Sequence, residues 1–516
     1  MRHVEARAGA YADSVTLMQV TARAQAVAGV QAALVAMATE LNLGLLAGLG
    51  LDAPDGAGPN DMLVAVHADD DESLAAALAA VDNALSTRAA DHAADVGEQP
   101  PRTTRSAARR SGPGLALISV PGQFAFAEAV DALDAGCDVL IFSDNIPVEQ
   151  EIWLKDKAAE RGLLVMGPDC GTAIVGGIGL GFSHSAPAGP IGLVAASGTG
   201  AQQVICLLDA AGIGVSATLG LGGRDLSAQV GGRSARAALA ALDDDPGTQL
   251  IVLISKPPAA QVAAELREFA ASLRTPVQFA LIGPGQPDLT EATEAALRGI
   301  GQQVPSWPSW PPGRPTTAQS PARTGETGAL RGLFAGGTLC DEAMVIAAER
   351  LGPIYSNIPL RPQWRFEPKH SPAPHGAPDA AAQAGRHVMI DFGDDELTAG
   401  RPHPMIDQRL RLDRLATEAA EPATAVIMLD VVLGHAAHPD PAAELAPAIA
   451  AALTEAEAGG RGLTIVVSLV GARSDPQGLT AQAAALAQPG AHVFASNAQA
   501  ARFACSVVTG QPGSTP

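Results

Sequence analysis

The sequence predicts a multi-domain α/β protein built mainly on parallel sheets, and three observations carry that reading. Its 516 residues suffice for three or four domains at roughly 100 to 200 residues each. Short apolar runs alternate with alanine-rich helical patterns, as in βα repeats whose parallel strands are buried on both faces. Three stretches rich in Pro, Ser, Thr and Gly, from Asp91 to Gly114, Gln302 to Gly328 and Gln363 to Gly385, carry neither a strand nor a helix period and read as linkers or surface excursions.

Residues 1–90 form a small α/β domain: a helix over Asp13–Val27, strands over Val30–Met37 and Met62–His67, and a helix over Glu72–Leu85. The apolar, glycine-dotted span Leu41–Gly50 reads as a buried loop and helix start. After a linker at 91–113, the domain 114–187 has strands Leu115–Val120, Val139–Phe142 and Leu163–Met166, with helices Phe124–Ala135 and Val148–Arg161. The domain 188–300 has strands Gly192–Ala195, Val215–Leu219, Leu250–Ser255 and Val277–Ile282, with helices Gly200–Ala211, Ser234–Leu242 and Ala259–Leu273.

A proline-rich linker follows at 301–329. In its run Pro305-Ser306-Trp307-Pro308-Ser309-Trp310-Pro311-Pro312, each proline removes a donor and biases its predecessor toward extended backbone, which marks a domain boundary. The last domain, 330–510, has strands Gly332–Ala335, Val388–Asp391, Ala425–Val431 and Leu463–Leu469. Its helices are Cys340–Arg350, Ala442–Ala456, Leu479–Leu486 and Ala498–Val507.

Composition excludes several function classes. Hydrophobic residues make up 47% and charged residues 17%, well outside the composition of disordered chains. The formal net charge of −21 repels phosphate backbones and anionic lipid heads, so neither nucleic acid nor a membrane is an expected partner. The five cysteines, Cys137, Cys170, Cys206, Cys340 and Cys505, are spread without a C-x-x-C pair and read as free thiols of a reducing compartment. No apolar leader and no membrane span is evident, so the expected location is cytoplasmic.

In parallel α/β sheets, ligands bind beyond the carboxyl ends of strands, where glycine turns lead into helix N-termini. Three turns fit. Ser197-Gly198-Thr199-Gly200 follows one strand and offers hydroxyls and amides to an anion. Gly220-Leu221-Gly222-Gly223-Arg224-Asp225 adds a flexible loop with a cation, and Gly336-Gly337-Thr338 opens a helix in the last domain. Tight βα turns need glycine in any case, but three at strand ends point to a ligand. None of them is a P-loop or a dinucleotide fingerprint.

Lys256 is one of only four lysines and follows the strand Leu250–Ser255 directly, so its ammonium emerges at a ligand-bearing edge or in solvent. At another strand end, Asp391-Phe392-Gly393-Asp394-Asp395-Glu396 and Arg401-Pro402-His403-Pro404 concentrate acids, an arginine and a histidine. His435 and His438 stand three apart before a proline turn and read as loop histidines. No metal site is expected.

Val120-Pro121-Gly122-Gln123-Phe124, Asp144-Asn145-Ile146-Pro147 and Gly167-Pro168-Asp169-Cys170-Gly171 resemble the CoA-binding domain of the succinyl-CoA synthetase α subunit. Ser197-Gly198-Thr199, Gly220 to Gly223 and Asp245-Pro246-Gly247-Thr248 resemble its ligase domain, and the last domain is similar to the carboxyl-terminal domain of the β subunit. With Tyr11-Ala12-Asp13-Ser14-Val15, Gly336 to Glu342 and Arg401 to Asp407, the chain is identified as resembling the FdrA family of acyl-CoA synthetase-like proteins over nearly its whole length.

The resemblance implies Rossmann-like and flavodoxin-like sheets, an acyl or acyl-phosphate substrate, and phosphate cradled at Ser197 to Thr199 and Gly222 to Gly223. It implies CoA contacts at Pro121, Asp144, Asn145 and Ile146, so CoA is the one candidate cofactor. The phosphorelay histidine of such synthetases has no counterpart: the matching stretch is Gly283-Pro284-Gly285-Gln286, Lys256 takes the place of the glutamate that orients that histidine, and no ATP site is present in the chain.

Three functions follow from the resemblance. FdrA-like proteins are similar to a component of oxamate carbamoyltransferase in allantoin breakdown, which implies acyl or carbamoyl transfer between a phosphate and a carboxylate-bearing acceptor. In that reading Ser197, Gly198, Thr199, Gly222, Gly223, Arg224, Gly336, Gly337, Thr338 and Lys256 hold phosphate, Arg401 holds the acceptor carboxylate and His403 moves the proton. The alternatives are an acyl-CoA ligase completed by a separate ATP-grasp partner and a non-catalytic scaffold subunit. Each includes partner subunits or an oligomer.

Overall fold

In the computed structural model the described residues are 1–12, 14–54, 56–92, 101–313, 328–366, 385–398 and 401–510. Asp13, Lys369, Gly400 and parts of the three expected linkers (93–100, 314–327, 367–384) lie outside them, and the first linker is not wholly irregular, since it carries a helix at Thr104–Ser111. The chain divides into two compact units: Met1–Ser111 with Thr398–Asp407, and Gly112–Leu397 with Gln408–Pro516.

The first unit runs β1 (Arg2–Arg7), α1 (Ser14–Gln25), β2 (Val30–Met37), α2 (Glu40–Gly48), β3 (Met62–Ala68), α3 (Asp71–His92) and α4 (Thr104–Ser111). Its sheet is antiparallel in the order β1-β3-β2. One face packs Val35, Val64 and Val66 on Leu17, Val20 and Val81; the other packs Leu63 and Ala65 on Leu46 and Leu51. Covering both faces explains the unbroken apolar run of the central strand. The span expected as a buried loop and helix start is helical over most of its length as α2, capped by Thr39 and half exposed rather than buried.

The second unit opens with β4 (Leu115–Ile118), α5 (Gly122–Asp134), β5 (Asp138–Ile141), α6 (Val148–Glu160) and β6 (Val165–Met166), a three-stranded parallel sheet. A hairpin follows, β7 (Thr172–Val175) and β8 (Ile178–Gly181), turned by Gly176 and Gly177, both at positive φ. Then come β9 (Ala188–Ala196), α7 (Gly198–Ala210), β10 (Val215–Gly220), α8 (Arg233–Asp244), β11 (Leu250–Ser255), α9 (Ala260–Ala271), β12 (Val277–Leu281) and α10 (Leu289–Gly299). The sheet order is β12-β11-β9-β10-β7-β8, parallel except at the hairpin. Leu140 and Met166 of the three-stranded sheet share its core with Leu219, Leu239 and Leu253.

The remainder forms β13 (Ser309–Trp310), β14 (Ala329–Phe334), α11 (Gly337–Leu351), β15 (Ile354–Tyr355), β16 (His387–Asp391), α12 (Asp395–Thr398), α13 (Arg409–Ala420), β17 (Thr424–Val432), α14 (Pro441–Ala458), β18 (Thr464–Val470), α15 (Leu479–Ala487), β19 (His492–Phe494) and α16 (Asn497–Thr509). The order β13-β19-β18-β17-β14-β16-β15 is parallel except for β13. The proline run is therefore not wholly a linker: Ser309 and Trp310 pair with β19, and Trp307 is buried with its Nε1 donating to Glu294 at 3.0 Å.

Helix α7 joins the two large sheets. From Gly200 to Asp209 every residue is buried, as expected of a helix with partners on all sides. Gln203 donates to the Ala495 carbonyl and accepts from the Asn497 amide, while Asn497 also donates to Glu342 of α11 at 2.7 Å.

Candidate active site

Two of the three glycine turns meet. Ser197 caps α7 by accepting the Gly200 amide at 2.9 Å and donates its own hydroxyl to Thr338 Oγ1 at 2.6 Å. Thr338 lies in the first turn of α11, so two helix N-termini, each carrying roughly half a positive charge, converge on one place. Glycine permits this approach: a Cβ on Gly336 would lie 2.8 Å from Thr199 Cγ2. Below the turn, Asp430 accepts the Ala335 and Gly336 amides at 2.7 and 2.8 Å and pairs with buried Arg411 at 3.3 Å, which fixes the loop.

Lys256 stands at this junction. A Cβ on Gly337 would lie 2.9 Å from its Nζ and 2.5 Å from Asp391 Oδ2, so the cation and the carboxylate both face the start of α11. Burial alone would lower the lysine's pKa, but Asp341, Asp391 and Asp169 outweigh it and hold it above its ordinary value.

The acids move the other way. Burial pushes Asp391 to about 7 against the pull of Lys256, and Asp341 to about 6. Asp169 reaches about 7 through desolvation by the surrounding protein and repulsion from Asp395 and Asp144, although the residue is exposed. Asn357 orients Asp391 through both backbone groups, donating to its carbonyl at 2.9 Å and accepting its amide at 3.0 Å. The result is a cation between two anion-attracting helix ends, walled by carboxyls that exchange protons near neutrality, which suits acid–base chemistry on an anionic substrate.

The third turn packs against the loop that carries one of those acids, Asp169. Gly222, at φ +80°, passes so close to the Pro168 carbonyl that a Cβ would fall 2.0 Å from it, and a Cβ on Gly223 would sit 3.4 Å from Asp169 Oδ2. Arg224 turns toward α6, donating to the Ile146 carbonyl at 2.8 Å and pairing with Glu151 at 2.9 Å. In the CoA-like turn, Gly122 packs on Asp144, whose carbonyl a Cβ would meet at 2.2 Å; α5 starts at this glycine after Pro121, and Asn145 takes a positive φ. Arg401 and His403 fall in Thr398–Asp407, which belongs to the first unit, so their roles rest on the sequence reading. In the sequence, Asp169 and Asp341 stand only inside family motifs, and their place beside Lys256 comes from the fold.

The comparisons accord with this architecture. Residues 1–101 match the family described as "AllF, heavy metal-associated domain", and residues 333–507 match "CoA-ligase". The Escherichia coli (strain K12) protein called "Uncharacterized protein YahF" is 38% identical over 504 residues, which cover 94% of this chain and 95% of that one. The Aquifex aeolicus (strain VF5) "Succinate--CoA ligase [ADP-forming] subunit alpha" is 31% identical over 160 residues, 30% of this chain and 51% of that protein, so the likeness spans about half of the relative. Among solved structures, the Ca. Korarchaeum cryptofilum dinucleotide forming acetyl-coenzyme A synthetase 1, in complex with phosphate and ADP, is similar at 14% identity and a TM-score of 0.26, covering 77% of this chain and 82% of that one.

The protein is thus acyl-CoA synthetase-like, with a CoA-ligase region built on its seven-stranded sheet. It belongs to the FdrA family.

Residues 1–101 contain no cysteine, and no cluster of three His, Cys, Asp or Glu side chains able to hold a metal occurs among the described residues. No helix among the described residues is long and apolar enough to cross a membrane.

Proposed function

We propose that this protein transfers an acyl or carbamoyl group between phosphate and a carboxylate-bearing acceptor, without a phosphohistidine relay. The observation that carries the reading is the meeting of the α7 and α11 N-termini beside Lys256, ringed by carboxyls with pKa values near neutrality. In this mechanism the amides of the two turns and the Lys256 ammonium hold the phosphoryl end of carbamoyl phosphate. The acceptor nitrogen attacks the carbonyl carbon, a C–N bond forms, and the C–O bond to phosphate breaks. Asp391 or Asp169 takes the proton lost by the nitrogen, while helix dipoles and lysine stabilise the phosphate that leaves. Running in reverse, the same carboxyl, now protonated, returns the proton to the departing nitrogen.

The ligase alternative draws support from the CoA-ligase match over 333–507. It would use Pro121, Asp144, Asn145 and Ile146 toward CoA and a separate subunit for ATP. One experiment separates the two: phosphate-dependent cleavage of oxalurate by the purified chain, alone and with proteins encoded beside it, without ATP or CoA. Turnover supports the transferase. ATP-dependent thioester formation with no phosphorolysis supports the ligase, and neither activity supports a scaffold.

A further inference from the structure

A second pocket lies at the other end of α7. The helix has 13 residues, so its carboxyl end is about 20 Å from the Ser197 turn. There a cavity of 540 Å³ is lined by His184, Ser185, Asp209, His435, Arg473 and Ser474, with Ile174 and Pro187 as apolar wall. His435 follows β17 and Arg473 follows β18, so the pocket opens beyond the carboxyl ends of adjacent parallel strands, where such sheets bind ligands. Its volume suits a small organic molecule.

The polar groups are held as binding groups are held. Asp475 accepts the Ser185 amide at 2.9 Å, the Ala472 amide at 2.7 Å and His184 Nδ1 at 2.6 Å. These bonds keep its carboxylate ionised below its ordinary pKa despite burial. An ionised carboxylate only accepts, so His184 Nδ1 carries a proton, and Nε2 donates to an anion as the second N–H of an imidazolium whose charge Asp475 balances. That Nε2 is fully buried and has no hydrogen-bond partner, while its ring lines the cavity. Leaving a buried ring nitrogen unsatisfied is unfavourable, and a ligand would offset that cost.

Three further groups face the same space. Ser185 Oγ pairs with His435 Nε2 at 3.0 Å. Arg473 is 59% exposed and holds Asp209 through its amide at 2.8 Å and its Nε at 3.2 Å, which neutralises that carboxylate and leaves Nη1 without a bond. Ser474 is exposed at the rim.

We infer that this pocket binds a small organic anion with a carboxylate or phosphate group, held by Arg473 and His184 with the Ser185–His435 pair beside them. The site is separate from the Lys256 cleft and does not depend on the proposed transfer reaction.

The test is calorimetric titration of the full chain with inorganic phosphate and, separately, with malonate, in the wild type and in a Lys256→Ala background that disables the other anion site. Binding is expected to survive Lys256→Ala and to weaken about tenfold or more in Arg473→Ala and in His184→Gln, the loss of a charge-assisted hydrogen bond. Because His184 is buried and its variant risks misfolding, Ser474→Glu provides a rim substitution that repels an anion and leaves the core intact. Response to malonate with none to phosphate identifies a carboxylate ligand, and the converse a phosphate. Wild-type affinity in both Arg473→Ala and Ser474→Glu, or no binding of either probe in the Lys256→Ala protein, overturns the inference.

Discussion

Ser197 and Thr338, 141 positions apart in sequence, share a buried hydroxyl–hydroxyl hydrogen bond of 2.6 Å that ties the start of one sheet-crossing helix to the start of another. Removing either hydroxyl breaks the same contact. Ser197→Ala also removes the α7 cap and is expected to cost about 1 kcal/mol or more of stability, with Thr338→Val costing somewhat less. The double variant should be less destabilised than the sum of the two. A urea-unfolding cycle measures this, and strict additivity would show that the pair is not coupled.

Lys256 is the cation that acts on all three carboxyls, Asp169, Asp341 and Asp391, whose pKa values stand near or above 6. Lys256→Ala should reduce turnover by about 100-fold or more while leaving assembly, read by size-exclusion chromatography, unchanged. Unchanged turnover in the assembled complex would assign catalysis to another chain.

A carboxyl whose pKa folding raises is bound to a proton that the unfolded chain has already lost. Stability therefore falls as pH climbs from the ordinary carboxylate range through the folded value. For Asp391 that window runs from its usual 3.8 to about 7. Asp391→Asn removes the effect, so its stability relative to wild type should grow between pH 5 and about pH 8 in denaturant titrations. A difference independent of pH would mean that Asp391 does not titrate in this window.

Two glycines should respond differently to alanine. Gly222 combines φ +80° with a backbone carbonyl 2.0 Å from any Cβ, so Gly222→Ala must shift the 167–169 loop and should lower the melting temperature measurably. At Gly337 the obstacles are the ends of two side chains, Asp391 Oδ2 and Lys256 Nζ, which can swing aside. Gly337→Ala should fold with near-normal stability and lose activity. Equal stability losses in the two variants would contradict this division.

Residues 1–101 lack thiolates despite the description of the family they match. Copper or zinc at micromolar excess should leave the thermal unfolding of the protein unchanged, as should a chelator. A metal-dependent rise in melting temperature would reveal donors of another kind.

Central strands were the most legible part of the sequence. Leu250–Ser255 was read to the residue, because a strand buried on both faces is an uninterrupted apolar run with sharp ends. Edge and accessory strands were not. Strand β1, Arg-His-Val-Glu-Ala-Arg, buries only a thin alternation of Val4 and Ala6, and β13 lies inside a proline run whose order depends on β19. Helix α10 carries its signal in the sequence, Asp288 and Glu291 in a capping box ahead of an apolar stripe. In the site, turns at strand ends were visible as glycine patterns, and the position of Lys256 after its strand was visible too. What the sequence could not display is adjacency: Asp169 lies in the loop between β6 and β7, Asp341 in α11 and Asp391 at the end of β16, and only the packing of two sheets on α7 gathers them around one ammonium.

The Ser197–Thr338 contact also has a consequence for concentration. Both hydroxyls belong to one polypeptide, within one compact unit, so the two halves of the cleft are held at a fixed one-to-one ratio. Meeting is intramolecular, and dilution cannot separate them as it separates two subunits. However scarce the protein becomes, the fraction of molecules with a complete pair of helix ends stays the same, and ligand supply alone sets how many of them are filled.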